Sequence, residues 1–212
     1  MPRVRAELEE ANFVSSRDID KLLSLPLLQS IYAEVMRLRT EVQHVLYSKN
    51  DDIQINEWRF PKQHIVLVPS GAAHRNENFW NTMDGQHPLN RFWADRFLVY
   101  PNDPRSGPLK KATKVPALET ANRGTPKYKE SGMSDAFIPY GVGERACPGR
   151  FFARREVIGF CATIVANYDV ELLTRERHFE NGPEFYGLGT TGPLKSIPFR
   201  VRRRSKIGSG LP

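Results

Sequence analysis

A glycine-rich loop around Cys147 is the part of this sequence best suited to chemistry. Gly141, Gly143 and Gly149 surround the cysteine in the stretch FIPYGVGERACPGRFF, and Pro148 follows it directly. Glycines allow backbone N–H groups to approach a sulfur closely, and the positive end of a following helix stabilises a thiolate. Pro148 suits the first turn of such a helix, where a missing N–H costs nothing. The pattern therefore predicts a stabilised Cys147 thiolate at a helix N-terminus.

Such a thiolate can serve as a nucleophile, a redox thiol or a metal ligand. A nucleophile needs a histidine base, and none of the five histidines lies in a recognisable partner motif. Metal binding through a single protein sulfur is typical of haem, whose iron accepts one axial thiolate. The second cysteine, Cys161, lies in an apolar helical pattern and is expected to be a plain buried residue. Neither cysteine has a CxxC partner, which disfavours a zinc ribbon or a disulfide framework and fits a reducing compartment.

The elements that must position this loop are a mixture of helices and short strands. Helical spacing predicts a helix near the N-terminus and a longer one with a buried stripe, and a third helix follows the cysteine. The expected stripe consists of Leu28, Ile31, Tyr32, Val35 and Leu38. The segments IQINEWRF, YDVELL and FRVRR are typical of strands, and HIVLVPSGAA is typical of a buried strand. The proline-rich and glycine-rich stretch from 98 to 131 predicts a long irregular loop.

Composition indicates an ordinary globular chain of 212 residues, with 40% hydrophobic and 26% charged residues. The net charge of +7 is concentrated partly in the run FRVRRRSKIG. This run predicts a charged edge strand and a disordered basic tail over 203–212, and it lacks the aromatic residues of a nucleic-acid site. We therefore expect no nucleic-acid partner. No apolar run approaches the ~20 residues of a membrane helix, and no signal peptide is present, so we expect no membrane anchor in this chain.

Three motifs together resemble the cytochrome P-450 family of haem-thiolate monooxygenases. PYGVGERACPG is similar to the cysteine loop of that family, with Tyr140 where Phe or Trp is usual. YAEVMRLR supplies Glu34 and Arg37, similar to the family's Glu-x-x-Arg pair, and FWADRF places Arg96 where the family has an arginine. The resemblance covers almost the whole chain, as a single partial domain over 1–212. It implies a mainly α fold with small β-sheets (α+β), the haem-proximal C-terminal part of the family's fold.

The resemblance also implies roles for the residues of the cysteine loop. Cys147 is expected to be the axial ligand of the haem iron, and Arg145 to bind a haem propionate. Phe137 and Tyr140 are expected to pack on or near the porphyrin, with ordinary core packing as the alternative, and Gly141 belongs to the same cofactor-binding loop. No side chain is assigned as catalytic.

Other residues have structural roles by the same resemblance. Glu34, Arg37 and Arg96 are expected to form one buried charge network, with separate surface charges as the alternative. His74 is similar to the family's structural His-Arg turn. The strand after the Glu-x-x-Arg helix reads HVLYSKND and lacks the arginine that the family usually carries there.

The function implied by the resemblance is insertion of one oxygen atom from O₂ into a small organic substrate, with electrons from a partner reductase. Family members are usually more than twice this length, so a truncated form without the distal helix is expected. The alternative is a non-catalytic remnant that binds haem or a partner protein. The expected location is the cytoplasm or the cytoplasmic face of the endoplasmic reticulum.

Overall fold

A computed structural model describes residues 1–111, 123–174, 179–182, 184 and 186–204 of the chain. The helices are α1 (Pro2–Glu10), α2 (Phe13–Ser16), α3 (Ile19–Ser24), α4 (Pro26–Arg39), α5 (Ser70–His74) and α6 (Arg150–Asn167). The strands are β1 (Thr40–Tyr47), β2 (Ile53–Ile55), β3 (Trp58–Phe60), β4 (Ile65–Pro69), β5 (Leu98–Val99), β6 (Lys127–Tyr128), β7 (Tyr168–Leu172), β8 (Leu188–Thr190) and β9 (Phe199–Arg203). The fold is therefore α+β, as the sequence predicts.

The N-terminal helices α1 to α4 pack with α6 around one apolar cluster. Leu8 of α1, Leu22 of α3, Leu28 of α4 and Ile158 of α6 are all buried within it. The Glu7 carboxylate of α1 accepts hydrogen bonds from the first backbone N–H groups of α4, at 2.8 and 3.1 Å. No residue of α4 itself caps this terminus. A carboxylate at a helix N-terminus satisfies free donors and complements the helix dipole, so Glu7 fixes where α4 begins.

The described residues form four small antiparallel sheets. β1 lies between β4 and β8 in a three-stranded sheet, with His44 opposite Val68 and Val42 opposite Leu188. β2 pairs with β3, β5 with β6, and β7 with β9. The strands predicted from IQINEWRF, YDVELL and FRVRR are therefore present. The short β5–β6 pair corrects the expectation that the whole stretch from 98 to 131 is irregular, although 112–122 of it lie outside the described residues.

Two expectations about burial were wrong. β4 is mostly exposed, with Ile65 at 67% and Leu67 at 57% of their full accessible surface, because no described element covers its faces. The buried face of α4 is also displaced from the expected stripe: Val35 is exposed, whereas Glu34 and Arg37 are buried. Charged residues occupy the buried face because they are paired with each other.

The basic run near the C-terminus is largely a paired strand. β9 extends through Arg203, the first residue of the expected tail over 203–212, and 205–212 lie outside the described residues. Arg200 forms an ion pair with Glu171, and Arg202 forms one with Asp169, both across the β7–β9 ladder. Among the helices of the described residues, none has the length and apolar character needed to cross a bilayer.

Candidate functional site

The cysteine loop is held by backbone hydrogen bonds just before α6. The Cys147 N–H donates to the Tyr140 carbonyl at 2.8 Å, and the Arg150 N–H and guanidinium both donate to the Cys147 carbonyl. Gly141 and Gly143 have φ values of +83° and +61°, a backbone conformation that L side chains rarely adopt. These two glycines therefore allow the chain to fold back so that Tyr140 reaches Cys147.

The position of Cys147 differs in detail from the expectation. α6 begins at Arg150, so Pro148 lies in the turn before the helix and not in its first turn. The thiol is exposed and free, and a Cβ built on Gly149 would lie 3.8 Å from its sulfur. Glycine at this position therefore leaves open space beside the sulfur.

Cys161 also differs from the expectation. It is a free, exposed cysteine and not a buried one, because it lies to one side of Ile158 and Ala162, the buried residues of α6. Partial burial by neighbouring atoms nevertheless raises the pKa of its thiol. The neutral thiol is thereby favoured, which makes Cys161 a poorer candidate for a metal-binding thiolate.

The two aromatic residues predicted to lie near a porphyrin occupy different environments. Phe137 is buried in a core cluster, with ring centroids 5.1 Å from Phe97 and 6.1 Å from Trp80. This is the ordinary core packing that was the alternative, and contact of Phe137 with a porphyrin stays a prediction. Tyr140 is half-buried, and its hydroxyl is hydrogen-bonded to the hydroxyl of Tyr32 on α4.

Glu34, Arg37 and Arg96 come together with no solvent exposure. The Glu34 carboxylate accepts from Arg37 Nε at 2.8 Å and Arg37 Nη2 at 2.9 Å, and from Arg96 Nε at 2.9 and 3.0 Å. The remaining guanidinium N–H groups donate to backbone carbonyls, including Arg96 Nη1 to Asn81 at 2.6 Å. Burial lowers the pKa of Arg96, and Glu34 opposes that shift. The network therefore joins α4 to the segment around residue 96 as a satisfied buried unit.

His74 links this network to the segment that enters the cysteine loop. Its backbone carbonyl accepts from Arg37 Nη1 at 2.8 Å, and its Nε2 accepts from the Ile138 N–H at 3.1 Å. Burial first, and then the positive charge of Arg37, lower the pKa of His74 to about 4. A neutral imidazole can accept this hydrogen bond and a protonated one cannot, so His74 acts as a structural acceptor at neutral pH.

His44 is a site residue that the sequence reasoning did not identify. Its ring lies beside the cysteine loop, because a Cβ built on Gly141 would be 3.6 Å from His44 Cε1 and 3.7 Å from the Ala146 Cα. His44 Nε2 is buried without a hydrogen-bond partner in the described part of the chain. Arg145, on the same loop, is exposed and forms no ion pair within that part. In the sequence, the one feature that could have indicated this role is that His44 begins HVLYSKND, the strand segment that lacks the expected arginine.

The family whose sequence model matches this chain is described as Cytochrome P-450, over residues 1–196. The chain belongs to the cytochrome P-450 family. It is 39% identical over 214 aligned residues to the cytochrome P-450 monooxygenase efuG of Hormonema carpetanum. The alignment covers 95% of this chain and 37% of that protein. It is 34% identical over 218 residues to the cytochrome P-450 monooxygenase fsoE of Humicola fuscoatra, covering 97% of the chain and 37% of that relative. The chain therefore spans little more than a third of the length of these relatives.

The cytochrome P-450 fold is also found by structural comparison. The retinoic acid bound cyanobacterial CYP120A1 superposes with a TM-score of 0.63 and 20% sequence identity, covering 96% of this chain and 39% of that structure. At this level of identity the likeness concerns the fold alone. It agrees with the α+β architecture that the sequence predicts and with a portion of the cytochrome P-450 fold.

The residues present fit the haem that the cytochrome P-450 family implies. The free Cys147 thiol offers one sulfur ligand, and Gly149 leaves open space beside that sulfur. His44 Nε2 is a buried polar atom that has no partner in the part of the chain that the structure describes, and Arg145 offers a positive charge that forms no ion pair there. A large anionic cofactor with a metal at its centre would satisfy all three groups.

Proposed function

We propose that this chain forms the thiolate-bearing side of the haem site in a cytochrome P-450 monooxygenase. The observation that carries the proposal is Cys147, a free exposed thiol whose backbone N–H and C=O groups are both held in place by hydrogen bonds. Haem, when bound, would supply the iron chemistry that activates O₂, and a thiolate ligand would favour that chemistry. Cys147 would supply this thiolate.

The remaining site residues would bind and orient the cofactor. Arg145 and His44 would hold the propionate groups, because one supplies a positive charge and the other an unpaired ring nitrogen beside the same loop. The Tyr140 ring would pack at the edge of the porphyrin, and Gly141 would keep the loop backbone close to the cofactor. The buried network of Glu34, Arg37 and Arg96 would support the cysteine loop through His74, which contacts Ile138. None of these residues would take part in the reaction.

The substrate would be a small organic molecule, and the electrons would come from a partner reductase. The strand after Tyr47 and the turn from Tyr186 to Pro193 would contact the substrate. The turn contains β8, which pairs with Thr40–Val42 at the beginning of β1. Neither segment identifies a particular substrate. Location in the cytoplasm or on the cytoplasmic face of the endoplasmic reticulum is part of the same proposal.

A haem titration of the purified chain tests the assignment of Cys147. We expect Cys147→Ser to lose the thiolate-type absorption of the haem complex, because no other side chain in the loop can replace the sulfur ligand. Cys161→Ser is the matched control, since it removes the second free exposed cysteine and leaves the loop intact. Equal loss of the thiolate-type absorption in both variants would show that the assignment is wrong.

A second candidate function is favoured by the exposed apolar surface of α6. Phe151, Phe152 and Phe160 are exposed by 67%, 71% and 66%, which is typical of a surface that binds a partner. The chain would then bind haem or another protein without catalysis. With haem, a reductase and O₂, we expect the 212-residue chain to release peroxide or superoxide and not to hydroxylate a substrate. Stoichiometric formation of a hydroxylated product would exclude this candidate.

A further inference from the structure

A hydrogen bond between two tyrosine hydroxyls connects the cysteine loop to α4. Tyr32 lies on α4, two residues before Glu34 of the buried network, and its hydroxyl contacts that of Tyr140. The same Tyr140 residue accepts the Cys147 N–H through its backbone carbonyl at 2.8 Å. A single residue therefore receives a contact from α4 on its side chain and a contact from the cysteine on its backbone.

The surroundings favour a fixed pair. Both tyrosines are only partly exposed, and burial raises the pKa of Tyr32, with the hydrogen bond to Tyr140 as the next cause. The Tyr32 hydroxyl therefore remains protonated and available as a donor at neutral pH. The helix that carries Tyr32 is itself immobilised, because Glu7 caps its N-terminus and the buried network of Glu34 holds its C-terminal half. Tyr32 is thus a rigid anchor for a loop that otherwise depends on glycine-rich backbone.

We propose that Tyr32 is a positioning residue for the haem thiolate, acting through the Tyr140 side chain on the backbone that holds Cys147. This inference rests on the proposed function, in which Cys147 ligates haem. Loss of the Tyr32 hydroxyl leaves the core intact but frees the Tyr140 ring to rotate. The Tyr140 carbonyl then holds the Cys147 N–H less firmly, and the iron–sulfur bond is lost more readily.

The test is the lifetime of the thiolate-type spectrum in the haem-loaded full chain. We measure the rate at which the reduced, carbon monoxide-bound protein loses its thiolate-type Soret band at constant temperature. Tyr32→Phe should accelerate this loss about fivefold, the factor that corresponds to one hydrogen bond of about 1 kcal/mol. Tyr168→Phe is the matched control, because the hydroxyl of that half-buried tyrosine forms no hydrogen bond in the described structure.

A double-mutant cycle distinguishes the hydroxyl pair from a general effect on stability. Tyr140→Phe and the Tyr32→Phe, Tyr140→Phe double variant should both lose the band at the rate of Tyr32→Phe, because each removes the same bond. If the double variant loses the band faster than either single variant, by the product of the two single effects, the inference is overturned. A Tyr32→Phe rate equal to that of Tyr168→Phe would overturn it too. If the unmodified chain shows no thiolate-type band, the proposed function itself is wrong, and the inference is overturned with it.

Discussion

Removal of the Glu34 carboxylate is the perturbation with the largest expected effect on this fold. In Glu34→Ala, the guanidinium groups of Arg37 and Arg96 remain fully buried but lose the only carboxylate that contacts them within the described residues. The net charge of the cluster rises from +1 to +2, because two arginines and one glutamate become two arginines. Breaking a buried ion pair by removing one partner costs about 3–5 kcal/mol.

This cost is large compared with the stability of a typical domain. A free energy of unfolding of about 5–15 kcal/mol is usual, so Glu34→Ala is expected to remove a large share of it. The backbone carbonyls that accept from both arginines survive the substitution, which keeps the expected cost within that range. Glu34→Gln retains the side-chain volume and one acceptor oxygen, so it separates the loss of charge from the loss of packing.

The assay is soluble yield followed by urea unfolding of the purified chain. Glu171→Ala is the matched control, since Glu171 also pairs with an arginine, Arg200, but both side chains are exposed. An exposed pair of this kind contributes no more than about 1 kcal/mol. We expect Glu34→Ala to be recovered mainly as insoluble protein and Glu171→Ala to behave as the unmodified chain. Equal stability of the two variants would refute the view that the network is a buried, structurally required unit.

Two further predictions concern His74 and Glu7. The pKa of His74 is about 4 in the folded chain and 6.5 without perturbation, so the unfolded chain binds more protons between these values. The free energy of unfolding should therefore fall by about 3 kcal/mol as the pH is lowered from 6.5 to 4. In urea unfolding measured across this pH range, His74→Gln should flatten the dependence. His64→Asn, at an exposed site, should leave it unchanged. Glu7→Ala should destabilise the chain by about 1–2 kcal/mol because α4 loses its N-terminal cap, whereas Glu9→Ala should have little effect in the same urea assay. An unchanged Glu7→Ala variant would mean that its hydrogen bonds to Leu27 and Leu28 contribute nothing.

The elements of the fold that the sequence predicts well are those set by local pattern. The helical spacing around Ile158 predicts α6, and the Glu-x-x-Arg spacing places Glu34 and Arg37 on one face of α4. Burial was predicted less well, as for Val35 and the strand β4, because it depends on which distant elements cover a surface. Periodicity carries no information about that coverage.

Features of the candidate site that depend on local pattern were also predicted, and those that depend on contacts between distant residues were not. The glycines around Cys147 indicated a backbone-held thiol, since left-handed φ values at Gly141 and Gly143 are a local property of glycine. The contact of Tyr32 with Tyr140 joins residues 108 positions apart, and the approach of His44 to the loop requires the β1 strand to be placed first. The position of Phe137 depends on tertiary structure for a related reason: an aromatic residue next to the loop can face either the core or the cofactor, and its ring packs near those of Phe97 and Trp80.

Carbon monoxide binding to the reduced, haem-loaded Cys161→Ser chain tests the central claim most directly. This variant retains Cys147 as its only cysteine, because the sequence contains two. If the Cys147 thiolate ligates the iron, the carbon monoxide complex will show the red-shifted Soret band of a thiolate-bound haem, and adding Cys147→Ser will abolish it. A Soret band typical of a haem without a thiolate ligand, in the variant that still contains Cys147, would contradict the assignment of this loop as a haem-thiolate site.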